Sequence, residues 1–255
     1  MGKMRVLVGC ECSGAVRRQF RMRGHDAWSN DIKEAEDGSS HHLQMDVFEA
    51  IRNHGPWDMA IFHPDCTYLT IAAEWCYTDE AAIKAEARGS TKLFGAARRE
   101  AREEALAFFR SLWDCEIENV CMENPRGVVA TRLGLEATQS VQPYEYGHDA
   151  SKRTCLWLRG PRMKKLRPTR MIAPKHGCPT CRIKFPLALG KYGCPSCHGK
   201  PKHAGLVWGN QTPAGQNALA PGENRWVERS RTYTGIARAM AVNWSPDLVE
   251  PEDIL

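Results

Sequence analysis

Between Ser151 and Gly222 the 255-residue chain has neither aspartate nor glutamate. Fourteen lysines and arginines lie in the same stretch, from Lys152 to Lys202. The whole chain carries +5, so the remainder carries −9. A segment so one-sided repels itself unless it meets a polyanion. A solvated basic face is the plainer alternative. A nucleic-acid backbone is the favoured partner, because each cation set against a phosphate releases counterion.

Other absences narrow the class further. No run approaches the ~18 apolar residues of a membrane-spanning helix, so no membrane partner is expected. The opening MGKMRVLVGC lacks a signal-peptide apolar region with a cleavage site, and has no Ser or Thr at position six for myristoylation. The expectation is a cytoplasmic protein. There is no G-x-G-x-x-G fingerprint and no Walker loop. Internal repeats and low-complexity tracts are missing too. Eleven cysteines, an odd number, without an export signal argue for reduced thiols and metal binding instead of disulfides. A hydrophobic content of 42% is ordinary for a globular protein of one medium domain with a small appendage.

What is present reads as alternating strands and helices. MRVLVGCECSG is a short apolar strand that ends in a small-residue turn. AVRRQFRMRGH has helical spacing, with Val16, Phe20 and Arg23 on one face and Gly24 as C-cap. DAWSND is a second strand ending at Asp31, and HHLQMDV a third with Asp46 near its end. WDMAIFHP is a fourth, followed by the turn that holds Cys66. Residues 79–112 suggest a broken helix and then a helix from about Ala96 to Trp113. EIENVCMENP is a fifth strand, ending at Glu123-Asn124-Pro125, and KRTCLWLRG a sixth. RTYTGIARAMAVNW is a late helix with Ile236, Met240 and Trp244 as its apolar stripe. The tail SPDLVEPEDIL is acidic. The pattern predicts an α/β protein with a doubly wound, mostly parallel sheet. Ligands of such sheets bind outside the carboxyl ends of the strands. Cys10–Gly14, Asp31, Asp46, Cys66 and Glu123 all fall there.

The most specific local motif is CPTC…CPSC. Cys178, Cys181, Cys194 and Cys197 form two C-x2-C knuckles twelve residues apart, which suit a closed, structural tetrahedral Zn²⁺ site. Four unrelated cysteines are the alternative; a redox pair lacks its strand–helix context. His176, His198 and His203 are neighbours able to replace a ligand. The VGCECSG turn by itself is a weak sign of a nucleotide-like ligand. Asp31, an acid after the second strand placed to grip a ribose hydroxyl, adds weight. Cys66 at a strand end suits a nucleophile or a buried structural thiol. Glu123 suits a site acid or a capping carboxylate.

Taken in order, these residues resemble the DNA cytosine C5-methyltransferases, and among them the short phage-type members. The order is a small-residue first turn, acids after the second and third strands, Pro-x-Cys after the fourth and Glu-Asn-Pro after the fifth. The resemblance covers roughly residues 4–160 and 230–244. It implies a Rossmann-like methyltransferase sheet, in a bacterium or a phage-infected cell. Cys10, Glu11, Ser13, Gly14, Asp31 and Asp46 would hold S-adenosylmethionine. Cys66 would attack C6 of a flipped cytosine, and Glu123 would meet the ring at N3 and the exocyclic amine. Arg153, or Lys152 beside it in SKRTCLWL, would stand for the family's arginines near the base, although the Gln-x-Arg-x-Arg pattern is absent. Residues 1–160 with 230–255 would form the core, and 161–229 a basic zinc-ribbon insertion that reads DNA. A monomer is expected.

The chain departs from the family at Asp65, where a proline is usual, and at Thr67, where glutamine is usual. A carboxylate beside a thiol raises its pKa unless it is turned away or paired. Two other readings fit less of the pattern. One is an exocyclic amino (N4/N6) DNA methyltransferase, which needs no thiol. The other is a non-catalytic zinc-containing nucleic-acid binder with a degenerate methyltransferase core.

Overall fold

A computed structural model of the chain describes residues 2–199, 206–220 and 225–245, the last group without the side chains of 225–227. His203 and the acidic tail beyond Ser245 lie outside the described residues. The chain runs through β1 (Arg5–Gly9), α1 (Ala15–Met22), β2 (Asp26–Asp31), β3 (His42–Gln44), α2 (Val47–His54) and β4 (Met59–Phe62). Next come α3 (Asp79–Glu86), α4 (Gly95–Trp113), β5 (Val120–Pro125), α5 (Val129–Leu133), β6 (Gln139–Val141) and β7 (Thr154–Arg159). The remainder forms β8 (Lys175–Cys178), β9 (Ile183–Pro186), β10 (Leu206–Val207), α6 (Arg225–Ser230) and α7 (Thr234–Trp244).

Seven strands make one sheet in the order β3-β2-β1-β4-β5-β7-β6. β1 pairs in parallel with β2 and β4, β2 with β3, and β4 with β5, while β7 runs antiparallel to β5. The expected doubly wound, mostly parallel sheet is therefore the one that forms. Its winding reverses between β1 and β4, and that is where an open α/β sheet leaves a crevice for a ligand. A strand covered on both faces must be apolar throughout, and β4, Met59-Ala60-Ile61-Phe62, is fully buried along its length. Helix α2 has no counterpart in the sequence reading. Asp46, read as the end of a strand, is its N-cap and accepts from the Phe48 and Glu49 N–H groups at 2.9 and 3.2 Å.

Two compact units divide the chain. One takes residues 1–140, 154–165 and those from Ala241 onward; the other takes 141–153 and 166–240. The division read from composition follows charge, whereas this one follows packing, and it assigns 141–153 and 230–240 to the second unit. In the second unit β8 pairs antiparallel with both β9 and β10. There Tyr144 stacks on Trp208 with ring centroids 4.3 Å apart. Asn210 exchanges two 2.9 Å hydrogen bonds with the Ser151 backbone. The predicted stripe of α7 is buried at Ile236, Met240 and Trp244. No helix among the described residues is long and apolar enough to cross a membrane.

Helix α1 buries an ion as well as Val16 and Phe20. Arg17 is 1% exposed and donates to Ser29 Oγ at 2.7 Å and to the Asp37 carboxylate, which Arg18 also reaches at 2.6 Å. Burial alone would raise the Asp37 pKa, but hydrogen bonds from Arg17 and Arg18 outweigh it and hold it at about 2. A carboxylate whose folded pKa is depressed stabilises the fold above its unfolded pKa, and that stability disappears as pH falls through the folded value. Asp37→Asn should therefore cost about 2 kcal/mol or more at pH 7. Wild type and variant should converge between about pH 4 and pH 2. Urea unfolding at several pH values measures this.

Candidate active site

The turn after β1 opens the site. Cys10 has φ 58° and Gly14 has φ 67°, left-handed conformations that bend the chain sharply into α1. An added Cβ at Gly14 would collide with the buried Arg17 guanidinium and the Asp37 carboxylate, so glycine is favoured there. It cannot cap α1 with a side chain. Glu11 supplies the missing acceptor: its Oε1 accepts from the Ala15 N–H at 3.0 Å and from the Ser13 hydroxyl. Glu11 is 7% exposed and its backbone N–H reaches the Asn30 carbonyl at 2.9 Å. Its second oxygen, Oε2, is buried and has no partner among the described residues, as is Asn30 Oδ1. Buried acceptors left unmet in this way suit a ligand that brings donors.

Asp31 and Asp46 belong to the same corner. Burial, then the charges of Asp31 and Asp46, push the Cys10 thiol up to about 12. Burial, followed chiefly by Glu36, pushes Cys12 up to about 11. Neither thiol ionises near neutrality, so neither suits a nucleophile. Asp31 Oδ1 accepts from the Lys33 N–H at 3.0 Å. The six residues predicted for the cofactor thus lie on the first loop, on the end of β2 and on the cap of α2.

The turns after β4 and β5 form the other half. The Asn124 amide donates to the Pro64 carbonyl at 2.9 Å, and the Val128 N–H to the Leu69 carbonyl at 2.8 Å. Gly127 pairs with Thr70 across an isolated bridge. Cys66 is half-buried inside this tied pair of turns, and its carbonyl accepts from the N–H groups of Leu69 and Thr70 at 3.1 and 3.2 Å. Asp65, the acid before the thiol, is engaged locally: Oδ1 accepts from the Thr67 N–H at 2.9 Å and hydroxyl at 2.7 Å. Helix α4 braces the turn from below. Buried Arg102 donates to the Tyr68 carbonyl at 2.9 Å and to Glu74 at 2.7 Å, with its guanidinium 3.5 Å over the Tyr77 ring.

Glu123 lies in β5 and is 7% exposed. It accepts a hydrogen bond from, or shares a proton with, His63 Nδ1 at 2.9 Å. The sequence reading missed His63, Asn30, Asn124 and Arg102. Phe62 pairs with Met122 in register, so His63 and Glu123, the next residues of the two strands, become neighbours only once β4 lies beside β5. Arg153 is exposed and belongs to the second unit, while Cys66 and Glu123 belong to the first. Beside it in sequence, Lys152 Nζ donates to the carbonyls of Ser230 and Arg231 at 3.4 and 3.3 Å.

In the second unit the four predicted cysteines converge. The sulfurs of Cys178, Cys181, Cys194 and Cys197 all lie within 4.8 Å of one another, and Cys178 and Cys197 are 3.9 Å apart. Bonds of ~2.3 Å from one tetrahedral Zn²⁺ would place sulfurs ~3.8 Å apart, so the set fits this ion. The Cys181 and Ser196 N–H groups each point at a knuckle sulfur, Cys178 or Cys194, at 3.4 Å. His176 packs on Phe185 instead of joining the four.

No protein-family model and no curated protein sequence matches the chain. Parts of solved structures do. A protein assigned as a DNA modification methyltransferase encoded within an E. coli prophage aligns at 14% identity and TM-score 0.39, over 66% of this chain and 53% of that one. The Entamoeba histolytica methyltransferase EhMeth aligns at 13% identity and TM-score 0.40, over 68% and 59%. The S. pombe Dnmt2 methyltransferase aligns at 14% and 0.36, over 65% and 51%. The chain thus spans between half and three-fifths of these proteins. Likenesses of this size carry no argument about what it does.

Gly127 gives a direct test of the tied turns. An added Cβ would fall far inside van der Waals contact of the Leu69 carbonyl, which is backbone and cannot rotate away. Gly127→Ala should destabilise the protein by about 1–3 kcal/mol. Amide exchange at Val128 should accelerate more than exchange in β1, as read by hydrogen-exchange mass spectrometry.

Proposed function

We propose that the protein is an S-adenosylmethionine-dependent DNA methyltransferase that acts on cytosine C5 through a covalent adduct with Cys66. The observation that carries this reading is the tie between the Cys66 turn and the end of β5 that bears Glu123. The turn that bears the thiol is tied by backbone and Asn124 bonds to the strand end that bears the buried carboxylate, beside the reversal of strand order. Glu11 and Asn30, with unmet buried acceptors, line the adjoining loop.

Cytosine C5 is a weak nucleophile. Addition of the Cys66 sulfur to C6 forms the S–C6 bond and moves the C5=C6 electron pair into the ring. Glu123, at N3 and the exocyclic amine, is the group that meets the charge developing there. C5 then takes a methyl group, loses its hydrogen to a base, and re-forms C5=C6 as the sulfur leaves. The cofactor supplies the electrophilic methyl of a sulfonium. Cys10, Glu11, Ser13, Gly14, Asp31 and Asp46 are the residues to hold it, Asp31 at a ribose hydroxyl. The base must leave the stack to be reached, and Arg153 is the cation assigned to its neighbourhood.

The second unit takes the DNA-reading role in this proposal. Its acid-free stretch supplies the cations, and a structural Zn²⁺ on Cys178, Cys181, Cys194 and Cys197 closes its small core. Small modules of this kind draw much of their folding energy from the ion.

Nucleoside mass spectrometry of DNA from cells that express the protein tests the reaction. It should contain 5-methylcytosine, absent with Cys66→Ala. Methylation that survives this substitution would instead favour an exocyclic amino methyltransferase. Zinc is tested separately. The purified protein should carry one zinc per chain, and Cys194→Ser should lose it along with DNA affinity. Affinity should also fall steeply with salt, by about 10³-fold or more between 50 and 200 mM if six or more phosphates are neutralised.

A further inference from the structure

The bonds from Asn124 and Val128 hold the Cys66 turn from the β5 side. We propose that Arg102 of α4 is a positioning residue for Cys66: with Tyr77 it pins the Tyr68 carbonyl and so fixes the thiol two residues upstream. This rests on the reading of Cys66 as the nucleophile.

Every backbone carbonyl from Cys66 to Thr70 has a donor. Cys66 takes the Leu69 and Thr70 N–H groups, and Leu69 takes that of Val128. Arg98 Nη2 reaches the Thr67 carbonyl at 3.4 Å, and Arg102 Nη2 the Thr70 carbonyl at 3.5 Å. The Tyr68 carbonyl takes two donors from different elements, Arg102 Nε and the Tyr77 hydroxyl, each at 2.9 Å. Tyr77 ends the 3₁₀ turn Glu74–Tyr77. Its ring also lies under the Arg102 guanidinium, so the two donors hold each other in place.

Arg102 is 6% exposed, and Glu74 balances its charge. One flat guanidinium thus serves the Tyr68 carbonyl, Glu74 and the Tyr77 ring together, which an ammonium cannot do. Bonds from β5 alone leave the turn free to pivot about them. Bonds from α4 remove that freedom, and a displacement of ~1 Å at a reacting atom costs about 100-fold in rate. Arg99, on the same helix, provides a contrast. It donates to the Tyr77 carbonyl at 2.7 Å and to Asp79 at 2.9 Å, and neither partner lies within residues 66–70.

Two measurements on the full chain test this, with Arg102→Lys, Tyr77→Phe and the control Arg99→Met. Tyr77→Phe removes one hydroxyl and keeps the ring, so it decides the matter if Arg102→Lys folds poorly. The first measurement is the rate of Cys66 alkylation by iodoacetamide at a fixed pH, read on the Cys66 peptide by mass spectrometry. The rate should rise by about tenfold in Tyr77→Phe, the scale of one hydrogen bond, and further in Arg102→Lys, while Arg99→Met stays within about twofold of wild type. Rates equal to or below wild type in the first two variants, or an equal rise in Arg99→Met, overturn the proposal whether or not the protein methylates DNA. The second measurement is kinetic. Arg102→Lys should lower kcat by about 100-fold, and Tyr77→Phe by about tenfold, with little change in the KM for DNA. An effect on KM alone, or kcat losses that follow the urea-unfolding stabilities of all three variants, overturns it. If the wild type makes no methylated cytosine, the methyltransferase reading fails, and the alkylation rates still decide the role of Arg102.

Discussion

The site depends on two adjacent strand ends being held in register beyond the point where their pairing stops. β4 and β5 pair through Phe62 and Met122, and ordinary ladder bonds end there. The chain then continues the connection by other means. Asn124 reaches the Pro64 carbonyl, Val128 reaches the Leu69 carbonyl, and Gly127 lets the two backbones come closer than any side chain would allow. Side chains carried by free loops wander by more than a reacting pair tolerates, and in the proposed reaction Cys66 and Glu123 would inherit the precision of the sheet.

The first loop meets a related difficulty in a different way. A sharp left-handed turn needs glycine at position 14, and glycine leaves the first N–H of α1 without a side-chain cap. Glu11 takes that role from three residues upstream, which draws a carboxylate into a nearly buried place and leaves its second oxygen unmet. The same acids that gather in this corner suppress the nearby thiols. Cys10 and Cys12 are held far from ionisation by burial and by neighbouring carboxylates. Burial, with Glu123 beside it, likewise raises the Cys121 thiol well above its ordinary value. Burial first, and neighbouring carboxylates second, thus keep these three thiols from ionising near neutrality.

Much of the first unit was legible because its physics is periodic or strictly local. Doubly buried strands such as Met59–Phe62 must be apolar throughout, and α1 shows its buried face at Val16 and Phe20; in the second unit, a paired C-x2-C spacing leaves few other uses for four thiols. What escaped was relational. Asp46 looks the same at a strand end and as a helix cap, and only the chain geometry after Gln44 separates the two. The roles of Asn124 and Gly127 exist only once β4 lies beside β5. Arg102 stands among many helix arginines, and nothing local marks it as the one that folds inward under Tyr68. The boundary between the units was also hidden, since it runs inside β6 and α7, where composition does not change.

Asp65 shows how a structure can redirect an argument from charge. By sequence it is a carboxylate next to the proposed nucleophile and should oppose thiolate formation. In the folded turn its Oδ1 accepts from both the N–H and the hydroxyl of Thr67, the other position at which the chain departs from the family pattern. The two departures form one local motif. Where a proline would restrict the backbone ahead of the cysteine, an aspartate closes the turn by hydrogen bonding to the residue just after it. Each substitution taken singly looks like damage to the site. Together they rebuild the turn by another route, with Asp65 Oδ1 engaged by Thr67.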